Sequence, residues 1–437
     1  MSIEINNYKQ MDNPKKILVM AYAISPSRGS EYAVAWNYII NMSKNNYLTV
    51  IYGMSDNHMG ETDTLENYLN QQEVPNVRFV AVKPNAWANI LNWPNRHNIF
   101  VYTFYYAFAV WHKQAYKKAK ELIAQEQFDL IHFVGPIGYR EPGYLWKLGL
   151  PYVWGPIGGA NNAPRVLMKH MPLSGKIKQT FRSVANIIQF YTKLRLKKAL
   201  AATDVLLTAT SENQRKFRKA HHKNSICLPE NGIVGEIKLD KTKFDNVERY
   251  KFVVVGRLDE RKAVGILLEA LTHIVNKQKL HIDIVGDGPL RSRLERYANE
   301  HSLDKLITWH GQLPRIEAVQ VFNSAHLHVI TSVSEGNPTT IWEAMSYGVP
   351  TLSFDHCGMH DTICDQCGVR IPIAKRYEDC ILALSSAIDN LLEHPMLFQT
   401  LAEGTVNCAQ KYTWNKRAIF LNNIYNQLLV DKRHDDI

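Results

Sequence analysis

Short β-branched and apolar runs alternate along this chain with longer stretches whose apolar residues recur at helical spacing. ILVMAYAI (17–24), LTVIYGM (48–54), VRFVAV (77–82), FDLIHFV (128–134) and PYVWGPI (151–157) have the length of strands. Between them, segments such as YAVAWNYIINM and HKQAYKKAKELIAQEQ carry the helical period. A second series opens with KFVVVGRLD (251–259) and continues through a helical AVGILLEALTHIVNKQ, the strand LHIDIVGDG, a helical PLRSRLERYANEHS, the extended KLITWHGQL and the strand AHLHVITS. Strands alternating with helices predict parallel pairing within an α/β sheet. The turn-rich PENGI (229–233) separates the two series. The pattern therefore predicts two doubly wound domains, residues 1–228 and 229–412. A last segment, 413–437, contains WNKRAIFLNNIYNQLLVDK, one amphipathic helix expected to cross back to the first domain. Ligands of such sheets bind beyond the carboxyl ends of the strands, so a cleft between the two halves is the expected site.

Length agrees with this division, because 437 residues exceed what one core usually holds. The net charge of +10 favours anionic partners such as nucleotides, phosphates or an anionic membrane surface. Nucleic acid is not expected, since the chain has no zinc-finger spacing, no basic region with heptads and no RNA-binding aromatic signature. Six cysteines make no disulfide framework and fit a reducing compartment. The N-terminal MSIEINNYKQMDNPKK lacks the apolar core of a signal peptide. No stretch reaches the ~18 apolar residues of a membrane helix. The expected location is cytoplasmic, with peripheral attachment at the inner face of the plasma membrane as an option. That option comes from GKIKQTFRSVANIIQFYTKLRLKK, which alternates cations with apolar residues, and from the aromatic-rich AWANILNWPNRHNIFVYTFYYAFAVWHKQ.

One stretch concentrates candidate chemistry: SVSEGNPTTIWEAMSYGVP, residues 332–350, between the strand-like AHLHVIT and TLSF. Asn337 is a favoured N-cap with Pro338 at the first helical position, and Gly348 is a helix stop. The free N–H groups of such a helix start, at Thr339 and Thr340, favour an anion. Glu335 in the loop and Glu343 on the helix would repel that anion unless hydroxyls met them. A nucleotide sugar supplies both, with sugar hydroxyls for Glu335, diphosphate for the helix start and ribose for Glu343. A second cluster, Gly256-Arg257 with Lys262, follows the strand FVVV and offers a close backbone approach and two cations for the diphosphate.

With those residues in place, the chain resembles the retaining glycosyltransferases of family 4. The resemblance runs from about 15 to 414 and is strongest over 251–368, in VVVGRLDERKAVGILLEAL, IVGDGPLRSRLE, WHGQLP, SEGNPTTIWEAMSYGVP and the segment ending CDQCG. It implies the GT-B fold, two Rossmann-like domains facing across a cleft, with an acceptor-binding first domain and a nucleotide-sugar-binding second one. Carried over by position, it implies catalytic roles for Glu335, Arg257 and Lys262. Gly256, Gly336, Asn337, Pro338, Thr339, Thr340 and Glu343 would hold the donor. The first-domain loop Ser27–Glu31 matches the family's glycine-rich loop, adding Gly29 and Ser30 to the donor site and Glu31 to an acceptor or donor-sugar loop. The family's histidine after the fifth strand is absent, and Gly158 and Gly159 stand in that loop instead.

The reaction implied is transfer of a sugar from a nucleotide-diphosphate donor, UDP first and GDP next, to a glycan or lipid-linked acceptor. A bacterial surface-polysaccharide or glycolipid pathway fits it. The chain contains no Asp-x-Asp, so Arg257 and Lys262 are expected to replace a metal, and neither metal nor cofactor is expected. Cys364-Asp365-Gln366-Cys367, near His356, Cys357 and His360, invites a zinc reading that the family alignment sets aside as an ordinary loop. GDGP at 286–289 lacks the third glycine of a dehydrogenase fingerprint. Two other functions share this architecture: a nucleotide-sugar epimerase and a catalytically silent nucleotide-sugar-binding protein.

Overall fold

The structure, a computed structural model, describes residues 14–29, 31–53, 63–97, 99–100 and 102–435. Two compact units emerge. The first comprises residues up to 160, 187–230 and 414 onward; the second comprises 161–186 and 231–413. A contiguous division at 228 was expected, whereas here residues 161–186 group with the second unit. The reason is packing: Leu167, Met168 and Met171 are buried in the second unit's core, and His170 hydrogen-bonds the Glu260 carbonyl.

Among the described residues, the first unit holds seven strands: β1 (Lys16–Ala21), β2 (Tyr47–Gly53), β3 (Val77–Val82), β4 (Leu130–Gly135), β5 (Tyr152–Ile157), β6 (Val205–Thr208) and β7 (Ile226–Cys227). They pair in parallel in the order β3-β2-β1-β4-β5-β6-β7. Helices cover both faces, so β4 and β5 are buried along their whole length. The helix Trp414–Asp435 belongs to this unit. It buries Trp414, Ala418, Leu421, Ile424, Tyr425 and Leu428, one helical stripe, in the core shared with β1 and β2. At its centre the Tyr425 hydroxyl lies 2.7 Å from that of Tyr38 and 2.6 Å from Nδ1 of the buried His132. The aromatic-rich segment divides into helices Ala86–Arg96 and Thr103–Gln125. Phe108 and Trp111 of the second are core residues, while Trp87, Trp93 and Tyr106 remain on the surface.

The second unit holds six parallel strands: β8 (Tyr250–Val255), β9 (Leu280–Val285), β10 (Ile307–Gly311), β11 (Leu327–Ile330), β12 (Thr351–Phe354) and β13 (Gly368–Ile371). Their order is β10-β9-β8-β11-β12-β13. The chain winds outward one way from β8 through β9 and the other way from β11, so the loops after β8 and β11 diverge at the topological switch point. That is where open α/β sheets bind ligands.

Candidate functional site

Both loops of the second unit that carry candidate chemistry leave this switch point. Gly256 follows β8 with φ +149°, a conformation that L side chains rarely adopt. A Cβ there would also meet Cε of Lys262 at 3.0 Å, so glycine lets the lysine fold back across the strand end. Asp259 shapes the following turn, its Oδ1 accepting from the backbone N–H groups of Arg261 (3.1 Å) and Lys262 (2.9 Å). The Val333 N–H donates to the Arg261 carbonyl at 2.9 Å and ties this turn to the loop after β11.

Glu335 sits where the two loops meet. Its carboxylate is 2.7 Å from Lys262 Nζ and 2.8 Å from Arg261 Nη1. Burial pushes this carboxyl up, but the two cations, with hydrogen bonds from Lys262 and Ser332, outweigh it and hold it below the ordinary carboxylate range. Glu335 is 8% exposed and Lys262 16%, so this is a buried pair. Arg261, at 42%, reaches it from the rim. Gly256, Lys262, Thr331, Ser332 and Thr340 line one cavity at the strand ends.

The helix after this loop runs Thr339–Ser346, with Gly348 at φ +59° just past its end, as its stop role required. Its start differs from the expectation. Pro338, not Asn337, is the N-cap residue and offers no side-chain cap. The Asn337 carbonyl oxygen is instead taken by the indole N–H of Trp342, at 2.6 Å. Trp342 is buried and its N–H needs an acceptor, which outcompetes capping. The first-turn N–H groups at Thr339 and Thr340 therefore have no side-chain cap, as an anion site needs. Beside them, Asn337 Nδ2 and Thr340 Oγ1 are buried and lack a partner within the protein. Orphaned polar atoms at such a spot mark where a polar ligand fits.

The remaining sequence-derived residues fall as follows. Gly336 lies half-buried in the loop, and Glu343 is half-buried one turn into the helix. Arg257 is 71% exposed, with Asp259 at 3.9 Å as its ion-pair partner. Lys262, Glu335, Asn337 and Thr340 are thus brought together, and Arg257 stands at the edge. In the first unit, Gly29 is exposed after β1, and Ser30 lies outside the described residues. Glu31 opens the helix Glu31–Met42, where burial pushes its carboxyl up. Gly158 and Gly159 follow β5: the Gly158 N–H donates to the Ile137 carbonyl at 2.6 Å, and Gly159 has φ +83°. Parallel pairing puts these loops on the same edge of the first sheet.

Two residues of the site escaped the sequence reading. Arg261 was passed over for Arg257, though the run Asp259-Glu260-Arg261-Lys262 held the signal: an acid that caps the turn and aims both cations the same way. Gly358 lies against the loop of Glu335, where a Cβ would come within 1.7 Å of the Gly336 carbonyl oxygen. No local pattern announces that long-range approach.

Comparisons with known proteins bear on the fold and on the second unit's family resemblance. The family model for glycosyl transferases group 1 matches residues 236–399, which contain every second-unit residue above. The lipopolysaccharide 1,6-galactosyltransferase of Escherichia coli (strain K12) is 34% identical over 112 residues, 25% of this chain and 31% of that protein. Across the curated relatives that align first, the chain covers between 30% and 59% of their own length. Among solved structures, sucrose-phosphate synthase from Thermosynechococcus elongatus superposes with a TM-score of 0.65 at 16% identity, over 95% of this chain and 100% of that one. Anabaena HepE in complex with UDP and glucose gives 0.58 at 14% identity, over 96% and 100%. Two parallel-sheet units of this topology and neighbours of the same two-domain architecture show the GT-B fold, and the second unit matches the group 1 glycosyl transferase model over residues 236–399.

Proposed function

We propose that the protein transfers a hexose, with retention of anomeric configuration, from a nucleotide-diphosphate sugar to a hydroxyl of a glycan or lipid-linked acceptor in bacterial surface-polysaccharide or glycolipid synthesis. UDP is the first choice of nucleotide and GDP the second. The observation that carries this reading is the buried Glu335 carboxylate, paired with the largely buried Lys262 and with Arg261 at the rim, beside an uncapped helix start. Lys262 and Arg261 offer two cations for a diphosphate and Glu335 one carboxylate for sugar hydroxyls, next to the cavity that Lys262 and Thr340 line. HepE, a neighbour in fold, is described with UDP and glucose, and a relative is described as a lipopolysaccharide galactosyltransferase; both support the choice of donor and acceptor class.

Glu335 pairs with both cations. An arriving diphosphate competes for them, and the carboxylate turns to the sugar hydroxyls. Catalysis is then mainly electrostatic. The bond from the anomeric carbon to the diphosphate oxygen breaks as the acceptor oxygen attacks from the same face. The acceptor proton passes to the departing phosphate oxygen. Lys262, Arg261 and the first-turn amides of Thr339 and Thr340 stabilise the charge gathering on the leaving group, in a role that needs no metal. Arg257 reaches the distal phosphate from the rim, and Glu343 binds the ribose. In the first unit, Gly29 and Ser30 are assigned to the donor, and Glu31, Gly158 and Gly159 to the acceptor or the donor sugar.

Among the described residues no helix is long and apolar enough to cross a membrane. The helix Leu173–Thr192 and its extension to Lys198 contain seven lysines and arginines and no acid. Ile177, Phe181 and Ile188 stand exposed on that helix, Phe181 at 67%. We assign this stretch to peripheral contact with an anionic bilayer.

The test is incubation of the purified protein with UDP- and GDP-hexoses and a lipid-linked oligosaccharide, with EDTA present, and NMR of the product's anomeric proton. Retained configuration and unchanged rate in EDTA support the reading. Inversion, or loss of activity restored by Mg²⁺, overturns it, and a free sugar isomer formed without acceptor points to an epimerase. Vesicles with anionic lipid should retain the protein at low salt and release it at high salt, and no binding at low salt removes the membrane assignment.

A further inference from the structure

We propose that Cys364, Cys367 and Cys408 form a three-thiolate site for a soft divalent cation of the zinc type, a structural clamp beneath the helix Thr339–Ser346. The sulfur of Cys364 lies 3.5 Å from that of Cys367 and 3.2 Å from that of Cys408, and all three lie within 4.8 Å of one another. A tetrahedral zinc ion bound at the usual Zn–S length of about 2.3 Å holds its sulfurs roughly 3.8 Å apart. The two shorter sulfur separations, 3.2 and 3.5 Å, thus lie within about 0.6 Å of the spacing such an ion requires. Sulfurs joined by a disulfide would be about 2.05 Å apart, and Cys364, Cys367 and Cys408 form none.

The surrounding backbone is built for this approach. Cys364 and Cys367 flank a tight turn before β13, where the Cys364 N–H donates to the Cys367 sulfur at 3.2 Å and the Cys367 N–H to the Cys364 carbonyl at 2.9 Å. This turn sets both sulfurs on one side. Cys408 arrives from the last turn of the helix Met396–Ala409. That helix comes close enough for a Cβ at Gly404 to sit 2.0 Å from the Gln366 carbonyl oxygen, and for the Thr405 hydroxyl to donate to the Cys367 carbonyl at 3.3 Å. Glycine at 404 is the condition for the contact. The fourth position faces Gln366, whose Oε1 is 4.0 Å from the Cys408 sulfur, and the half-buried side of Cys364, which water reaches.

Position gives the site its purpose. Cys367 and Cys408 share one buried cluster with Ile341, Trp342 and Met345, the underside of the helix whose first turn borders Glu335. A bound ion would join the turn before β13 to the helix Met396–Ala409 and fix the floor on which that helix rests. It would touch no substrate, so the clamp stands independently of the proposed transfer reaction.

The test uses the full, tag-free chain, reduced with a phosphine and freed of metal, then given Zn²⁺ and desalted. Elemental analysis should find about one zinc per chain. Cys364→Ser and Cys408→Ser should each lower the retained zinc at least tenfold, and Zn²⁺ should raise the melting temperature of the wild type but not of these variants. Co²⁺ in place of zinc should give the near-ultraviolet charge-transfer absorption of thiolate ligation in the wild type, a readout that survives even if a variant misfolds. Absence of retained zinc in the reduced wild type, zinc unchanged in Cys408→Ser, or a Co²⁺ spectrum without the thiolate band would overturn the proposal.

Discussion

Glu335→Gln should move nucleotide binding and sugar transfer in opposite directions. The carboxylate takes Lys262 at 2.7 Å and Arg261 at 2.8 Å. A hydrogen bond to a charged group contributes about 1.5–3 kcal/mol net, against roughly 0.5–1.5 kcal/mol for a neutral one. Glutamine keeps the shape and one acceptor oxygen but gives up the charge. Each cation is then held about 1 kcal/mol more loosely and becomes available to a diphosphate. Because the incoming anion no longer competes with a buried carboxylate, affinity for the free nucleoside diphosphate should rise about tenfold, or ~1.4 kcal/mol. The same substitution removes the carboxylate assigned to the donor-sugar hydroxyls, and turnover should fall about 100-fold, ~2.7 kcal/mol in the barrier. Isothermal titration with UDP and GDP reads the first effect, and initial rates with labelled donor read the second. A variant that loses nucleotide affinity and turnover together would refute the division of labour, because Glu335 would then be holding the cations in position for the diphosphate.

Other predictions follow from the same contacts. Lys262→Ala should lower turnover by two orders of magnitude or more, about 2.7 kcal/mol, measured as kcat on wild-type acceptor; normal turnover would remove Lys262 from the site. Gly358→Ala, whose Cβ would lie 1.7 Å from the Gly336 carbonyl oxygen, must displace the Glu335 loop. Its loss of donor affinity should exceed its loss of melting temperature. Glu335 also predicts a pH signature. Its folded-state pKa lies below the ordinary 4.5, so its stabilisation is full above that value and disappears as pH falls through the lower one. Thermal unfolding should therefore show wild type above Glu335→Gln at neutral pH, with the gap closing below about pH 4.5.

Much of the fold was legible because the strands of a doubly wound sheet carry near-continuous apolar runs, and ILVMA and FVVV are such runs. The C-terminal helix declared itself through one stripe from Trp414 to Leu428, and the stop at Gly348 through its need for positive φ. Long-range packing stayed hidden. Residues 161–186 carry no marker that Leu167, Met168 and Met171 belong to the second core. Asn337 looked like a cap because local rules favour it; a buried indole five residues on took the oxygen instead. Arg261 was undervalued because position along the chain does not tell which way a turn aims its side chains, and here the Asp259 carboxylate decides that. Cys408 lies 44 residues beyond Cys364, so the third thiol joins the pair only through tertiary structure.

The central claim is that the second unit cradles a diphosphate between Lys262, Arg261 and the start of the helix Thr339–Ser346. Its most direct test is the thermal shift of wild type and Lys262→Ala with UDP, GDP and ADP, each beside its phosphate-free nucleoside. A ligand at 100 times its Kd stabilises the folded state by about 2.7 kcal/mol. One diphosphate should raise the wild-type melting temperature by several degrees, its nucleoside far less, and Lys262→Ala should lose most of the diphosphate's effect. Equal shifts in wild type and variant, or equal shifts from nucleoside and diphosphate, would contradict the account.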